Sequence, residues 1–308
     1  MSLMTSFSPV QERTFAVLRR GGEPIVFDAD EVASLREGAA TAVGELSARL
    51  GGERLWVSKG FLAKVHGCET FHLAPEEFTW RPANAAGFVA HKAIELGVHW
   101  PGMPTPSQLV DAAIVSLADV PGRKGDFVAG LTAAEHAALR GKAVERTTKF
   151  FQQFPPLDAR AHPMLESSVR WRPPGCIEAG GKADLVIGRP CGRESRRVIV
   201  DFKSGGHSPV HRDDLRFYAL IETLVHGVPP RRLATYYLDG AECEVEDVTV
   251  DILRAALRRM LDGIARHAEL TIDGRAPARR AGVACRWCPL VDGCAEGRSF
   301  LCDEDDDD

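Results

Sequence analysis

The chain has 308 residues, of which 44% are hydrophobic and 26% are charged, which is the composition of an ordinary globular protein with a full core. No apolar run approaches membrane-spanning length, and the start lacks a basic segment followed by an apolar core, so we expect a cytoplasmic protein without a membrane partner. The formal charge of −5 is concentrated at one end, because residues 303–308 contribute −6 and the rest carries +1. We expect this acidic tail to be disordered, and any nucleic-acid affinity to come from local basic clusters.

Helical periodicity and capping residues predict a helical first half of the chain. Asn84 is interpreted as the N-cap of a helix that Gly97 ends, and Thr132 and Glu135 form the capping box of a long helix. The predicted helices are 29–50, 58–68, 85–96, 105–117 and 132–154.

From about residue 165 the pattern changes to short segments that are apolar or alternating and partly β-branched. They predict strands over 166–171, 183–187, 198–202 and 233–238. A helix over 210–225 separates the third strand from the fourth, and a helix over 250–270 precedes a cysteine-rich end.

The segment Asp201-Phe202-Lys203 ends an apolar strand, and Asp184 opens the strand before it. Since side chains alternate along a strand, Asp201 and Lys203 point to one side and Phe202 points into the core. The short Gly- and Pro-containing segment 188–197 turns the chain back, so that two carboxylates and one amine meet at an end of the sheet. Such oxygens suit Mg²⁺ or Mn²⁺, as phosphodiester hydrolysis requires. A surface ion pair is the simpler interpretation of an isolated motif of this kind.

The cysteines carry an independent signal. The chain has eight, which in a cytosolic protein favours metal binding over disulfides. Cys285, Cys288 and Cys294 form a C-x₂-C-x₅-C cluster that needs one more ligand. Thiolates hold Zn²⁺ or an iron–sulfur cluster, and the spacing alone does not separate the two.

The chain carries four short motifs: Gly87-x-x-x-His91, Gly181-x-x-Asp184, Asp201-x-Lys203 and Asp214-x-x-x-Tyr218. Together they resemble the PD-(D/E)XK nuclease superfamily, in particular its RecB-like branch, which includes CRISPR-associated RecB-like exonucleases and the AddB nuclease domain. The order of predicted elements, a helix, three strands, a helix and a strand, is similar as well. The resemblance implies an α/β restriction-endonuclease-like core, in which helices flank a mixed central sheet.

The resemblance also implies roles for the residues at the sheet end. In relatives the two acids of these motifs bind a divalent metal, the carbonyl between acid and lysine adds a ligand, and the lysine acts in catalysis. Glu166 stands where relatives often carry another acid, although an edge-strand surface charge explains it equally well. The expected site is therefore made of metal ligands His91, Asp184, Asp201 and the Phe202 carbonyl, with Glu166 as a further candidate, and of Lys203 as the catalytic lysine.

One motif departs from the family pattern. Asp214 stands where relatives have glutamine, four residues before Tyr218, and the two side chains share a helix face that is expected to handle DNA. A carboxylate near phosphate is less favourable than an amide, so this departure concerns substrate handling more than metal binding.

Relatives with the C-terminal cysteine triplet recruit a distant N-terminal cysteine to hold a [4Fe-4S] cluster. Cys68 lies at the corresponding place, so the resemblance implies the ligand set Cys68, Cys285, Cys288 and Cys294. Cys302 is the rival fourth ligand, which would make a compact local site, most simply for Zn²⁺.

The resulting prediction is a Mg²⁺- or Mn²⁺-dependent DNA nuclease, an exonuclease acting on DNA ends or single strands in repair, recombination or defence. The alternatives are a catalytically weak DNA-binding or assembly subunit, or a CRISPR adaptation nuclease with protein partners. The predicted divisions are an N-terminal region (1–57), a nuclease domain (58–294) and the acidic tail (303–308). The nuclease domain has a helical part (58–160) and a core (161–270), followed by an iron–sulfur segment (271–302).

Overall fold

The structure is a computed structural model and describes residues 7–19, 21–75, 80–120 and 122–305. Within these ranges, no helix is both long enough and apolar enough to cross a membrane. The last helix reaches Asp305, three residues into the tail that was expected to be disordered. Residues 306–308 of that tail lie outside the described residues.

Helices and strands alternate irregularly along the chain. The helices are α1 (Pro9–Leu18), α2 (Ala29–Arg49), α3 (Lys59–Gly67), α4 (Glu69–Leu73), α5 (Pro82–His99), α6 (Pro106–Ala118), α7 (Arg123–Ala129), α8 (Ala133–Gln153), α9 (Pro209–His226), α10 (Val250–Thr271) and α11 (Ala295–Asp305). The strands are β1 (Ile25–Val26), β2 (Leu55–Val57), β3 (Met164–Trp171), β4 (Ile177–Ile187), β5 (Glu194–Ser195), β6 (Val198–Lys203), β7 (Arg232–Tyr237) and β8 (Glu242–Asp247).

The main sheet has the order β2-β4-β6-β7-β8, with β3 paired to β4 on a separate branch. β6 and β7 are parallel, as are β2 and β4, whereas β4 and β6, β3 and β4, and β7 and β8 are antiparallel. β1 and β5 form a separate short pair. The predicted α/β fold, a mixed sheet flanked by helices, is confirmed.

Each face of the sheet has its own core. On one face, β6 residue Ile199 packs in a cluster with apolar residues of α2, α9 and α10. On the other face, Val200 and Phe202 pack with α5 and α8, where Phe202 lies edge-on to Phe150 at 5.3 Å between ring centroids. The prediction that Phe202 points into the core is therefore confirmed. Because α2 contributes to the first core, residues 29–49 pack as part of the same unit as the sheet.

The predicted start and end of α5 are wrong. The helix begins at Pro82, and Asn84 acts at its third position by accepting a hydrogen bond from the Arg81 backbone N–H at 2.8 Å. It also continues past Gly97 to His99. A Cβ at Gly97 would lie 2.3 Å from Cζ of Phe151, so glycine here lets α8 pack closely rather than ending the helix. The capping box of Thr132 and Glu135 is confirmed, and α3 starts directly after Ser58 as predicted.

The buried carboxylate of Glu69, next to Cys68, joins α4 to the segment that follows α10. Glu69 is 4% exposed and accepts two hydrogen bonds from the Arg275 guanidinium, at 2.7 and 2.9 Å. It also accepts the Ala278 backbone N–H at 2.8 Å, while its own N–H donates to the Ala278 carbonyl. The hydrogen bonds from Arg275 lower the pKa of Glu69 to about 2, against the effect of burial. This carboxylate therefore fixes the segment after α10 onto α4.

This clamp predicts a pH-dependent contribution to stability. Because the pKa of Glu69 is lower in the folded chain than in the unfolded chain, its contribution is complete above about pH 4.5 and is lost as the pH falls toward 2. Glu69→Gln should lower the free energy of unfolding at pH 7 by about 1 to 3 kcal/mol, measured by urea unfolding, and the loss should shrink below pH 4. Glu45→Gln, at an exposed position of α2, is the control. A Glu69→Gln loss that is the same at pH 3 and pH 7 would contradict the account.

Candidate active site

Three side chains at one end of the sheet offer metal ligands. His91, Glu166 and Asp184 each contribute one ligand atom, and these atoms lie within 4.8 Å of one another. All three side chains are partly buried. Two carboxylates and one imidazole make a donor set that suits Mn²⁺ and accepts Mg²⁺. The residues present therefore fit the divalent metal that the sequence predicted, and they include Glu166.

An irregularity in the β3–β4 ladder positions the two acids. Leu165 pairs with Leu185, and Ser167 pairs with Ala183, which leaves Glu166 and Asp184 facing each other between these pairs. Glu166 has φ of 51°, in the left-handed region that a residue with a side chain adopts rarely and at a cost in free energy. The conformation is held by the strand pairing on both sides, and the Glu166 carboxylate also pairs with Lys182. Backbone strain of this kind is typical of functional sites.

His91 reaches the acids because α5 comes very close to the chain after β6. A Cβ at Gly87, one helical turn before His91, would lie 2.6 Å from Oγ of Ser204. His91 Nδ1 lies 3.4 Å from Oδ1 of Asp184, and the ring stands edge-on to Phe202. Burial lowers the pKa of His91, but the charge and hydrogen bond of Asp184, together with the charges of Asp201 and Glu166, outweigh burial and raise it. Glycine in Gly87-x-x-x-His91 is thus a packing requirement.

Asp184 is also tied directly to the catalytic strand. Burial raises the pKa of Asp184, but the charge and hydrogen bond of His91, the Phe202 backbone N–H and the Lys59 charge together outweigh burial and lower it. That N–H donates to Oδ2 of Asp184 at 2.7 Å. The predicted meeting of Asp184 with the segment Asp201–Lys203 is therefore confirmed.

Asp201 itself faces two amines rather than the metal-ligand group. Its side chain is on the sheet face covered by α9 and is 1% exposed. Oδ2 lies 2.8 Å from Nζ of Lys203, which confirms that these two side chains point to the same side. Oδ1 lies 3.1 Å from Nζ of Lys59, a residue that the sequence analysis missed. Both oxygens of the predicted metal ligand thus have a cationic neighbour.

Lys59 occupies the first position of α3, where Ser58 caps the helix by accepting the Phe61 N–H at 3.1 Å. A cation at a helix N-terminus is unfavourable because that end carries partial positive charge. This mismatch is a signal in the sequence that a buried acid lies nearby. Burial lowers the pKa of Lys59, but the charge of Asp201, with smaller contributions from Asp214 and Asp184, raises it above its usual value.

Asp214 and Tyr218 extend the site from α9. Oδ2 of Asp214 lies 3.1 Å from Nζ of Lys203 and 3.5 Å from Nζ of Lys59. A Cβ at Gly181 would lie 2.8 Å from Cε1 of Tyr218, so the glycine gives room for the tyrosine ring. Burial raises the pKa of Tyr218 to about 12, which keeps the phenol protonated at neutral pH. The acid that departs from the family pattern is therefore paired with two lysines.

The cysteines form a second candidate site. Cys68, Cys285, Cys288 and Cys294 line one cavity, whereas Cys302 is exposed on α11 and is not among its lining residues. The Gly297 backbone N–H, in the first turn of α11, donates to Sγ of Cys294 at 3.4 Å. Among the described residues, no three cysteine sulfurs lie within 4.8 Å of one another. A tetrahedral zinc–thiolate site, with Zn–S bonds of about 2.3 Å, would bring its sulfurs to about 3.8 Å.

The end of the mixed sheet thus carries an acid pair, a histidine and a neighbouring lysine. This set of residues is typical of a metal-dependent nuclease. The family model of the PD-(D/E)XK nuclease superfamily matches residues 62–295, and the chain belongs to this superfamily.

Two solved structures are similar to the chain. One is a protein named "Putative exonuclease" from Eubacterium rectale, with 14% identity, coverage of 77% of this chain and 87% of that chain, and a TM-score of 0.47. The other is named SSO0001, with 13% identity, coverage of 68% and 95%, and a TM-score of 0.33. A search of the curated proteins finds no match.

The ligand group predicts which substitutions weaken metal binding. Asp184→Asn and Glu166→Gln should each lower the affinity for Mn²⁺ at least about tenfold in calorimetric titration, because each removes an anionic oxygen. Glu178→Gln is the matched control, since Glu178 is on the same strand as Asp184 but pairs with Arg172 at 3.2 Å. Equal affinities in all four proteins would show that the ion binds elsewhere.

Proposed function

We propose that the protein is a Mg²⁺- or Mn²⁺-dependent DNA nuclease of the RecB-like branch that acts on DNA ends or single strands. The observation that carries this proposal is the group of His91, Glu166 and Asp184 within 4.8 Å, joined by one hydrogen bond to the strand that bears Asp201 and Lys203. Acidic ligands beside a lysine match the needs of phosphodiester hydrolysis.

The roles follow from the positions of the side chains. A bound divalent ion would activate water and offset charge on the phosphate. His91, Glu166 and Asp184 would hold it, with the Phe202 carbonyl as a further ligand. Asp201, which the resemblance made a metal ligand, is paired with Lys59 and Lys203 instead. Lys203, 2.8 Å from Asp201, would orient the attacking water or contact the scissile phosphate. Tyr218 is almost completely buried and would support the DNA-handling face from α9.

The shape of the site favours a single strand or an end over an intact duplex. Helix α3 approaches Asp201 from one side, and α5 approaches Ser204 at the other. Asp201 is almost completely buried between them. A flexible single strand reaches a buried carboxylate more readily than a duplex does. Asp214 had suggested a catalytically weak subunit, but its pairing with Lys203 and Lys59 offsets its charge, so we favour an enzyme.

We also propose that Cys68, Cys285, Cys288 and Cys294 bind a [4Fe-4S] cluster. The four residues surround one cavity, while Cys302 lies outside it. The N–H of Gly297 and the helix N-terminus around it would stabilise thiolate charge. The cluster would act as a structural staple between α3 and the end of the chain.

Cleavage of labelled DNA tests the nuclease proposal. Asp201→Asn and Lys203→Met should each reduce the cleavage rate by about a hundredfold or more, because each removes a charge that acts on the transition state. Lys142→Met, at a solvent-exposed position of α8, should cleave like the wild type. Linear single strands should be degraded, whereas closed circular duplex should stay intact. Equal cleavage by the wild type and both site variants would contradict the proposal.

The cluster proposal has a separate test. Protein purified without oxygen should be brown and contain iron and sulfide, and Cys68→Ala should lose both. Cys302→Ala is the matched control and should keep them, because Cys302 lies outside the cavity. Colourless protein with stoichiometric zinc after iron-replete expression would overturn the assignment.

A further inference from the structure

Lys59 is a cation of this site whose role is explained neither by the metal-ligand group nor by the catalytic lysine, Lys203. Its Nζ lies 3.1 Å from Oδ1 of Asp201 and 3.5 Å from Oδ2 of Asp214. It also lies 5.2 Å from the centre of the Tyr218 ring, so three side chains of two different elements surround one ammonium group. The side chain is held at the start of a capped helix despite the unfavourable position of its charge.

The charged side chains of the site lie on two different faces of the sheet. His91 approaches from the α5 side and shares the ligand group with Glu166 and Asp184. Lys59 approaches from the other side, on the face where Asp201 and Asp214 lie. One part of the site is thus arranged for an ion, and the other already contains two ammonium groups.

A second divalent ion would need Asp201. In two-metal sites the ions lie about 3.5 to 4 Å apart and share carboxylate ligands. Here Oδ1 and Oδ2 of Asp201 each have an ammonium neighbour, at 3.1 and 2.8 Å. The carboxylates of Asp201 and Asp214 are already offset by two lysines. A second divalent ion would stand beside Lys59 and be repelled by it.

We propose that Lys59 takes the place of a second divalent ion and restricts the site to one. Lys59 is in this sense a positioning residue: it holds the carboxylates of Asp201 and Asp214 so that the single ion binds at His91, Glu166 and Asp184. The inference rests on the proposed function, since the ion concerned is that of the nuclease.

The proposal predicts the number of bound ions as well as the rate. Wild-type protein should bind one Mn²⁺ per chain at the active site in equilibrium dialysis and in titration followed by electron paramagnetic resonance. Lys59→Met should bind a second Mn²⁺, or bind the first at least about tenfold more tightly, because the competing charge is gone. Lys59→Gln should behave in the same way, and Lys59→Arg should restore wild-type binding.

Lys64→Met is the matched control, since Lys64 is on the same helix and lies over the Phe71 ring. It should leave Mn²⁺ binding unchanged. Two ions in the wild type, or wild-type stoichiometry and affinity in both Lys59→Met and Lys59→Gln, would overturn the proposal. A wild type that binds one Mn²⁺ but cleaves no DNA would instead refute the proposed function, so the two failures are distinguishable.

Discussion

The buried carboxylate of Asp201 is the constraint on which the rest of the site depends. A charge that is removed from water costs free energy unless it is paired, so the chain has to bring cations to the end of β6. One cation is Lys203, two residues further along β6, and the other is Lys59 at the start of α3. Asp214 then shares both cations from α9. The close approach of these elements explains why glycine is needed at Gly181, where the Tyr218 ring lies against the strand.

Helix α3 connects the two candidate sites. It begins at Lys59 beside Asp201, and its C-cap is Cys68 at the cysteine cavity. The nine residues of α3 span about 14 Å. A single rigid helix therefore connects the two sites. Gly263 of α10 leaves room for Leu62 and Val65 of α3, and Glu69 clamps the following turn to the Arg275 segment. A cofactor at the cavity would therefore stabilise the same helix that delivers Lys59 to the active site.

The parts of this architecture that local rules govern were predictable. Strand alternation placed Asp201 with Lys203, and the capping box of Thr132 and Glu135 located the start of α8. Long-range contacts were not predictable in this way. The role of Lys59 depends on a partner 142 residues away, and Glu166 depends on a left-handed backbone conformation that no local pattern indicates.

The strands β2 and β8 were not predicted, because they too depend on pairing with another strand. β2 has three residues and gains its structure by pairing with β4, and β8 alternates acidic residues along an edge of the sheet.

The most direct measurement of the central claim is the position of a bound ion. Crystals soaked in Mn²⁺ should show one anomalous difference peak between His91, Glu166 and Asp184, at about 2.0 to 2.3 Å from their ligand atoms, with Lys59 still beside Asp201. No peak at this position, or a peak bound only by other residues, would contradict the account of the site.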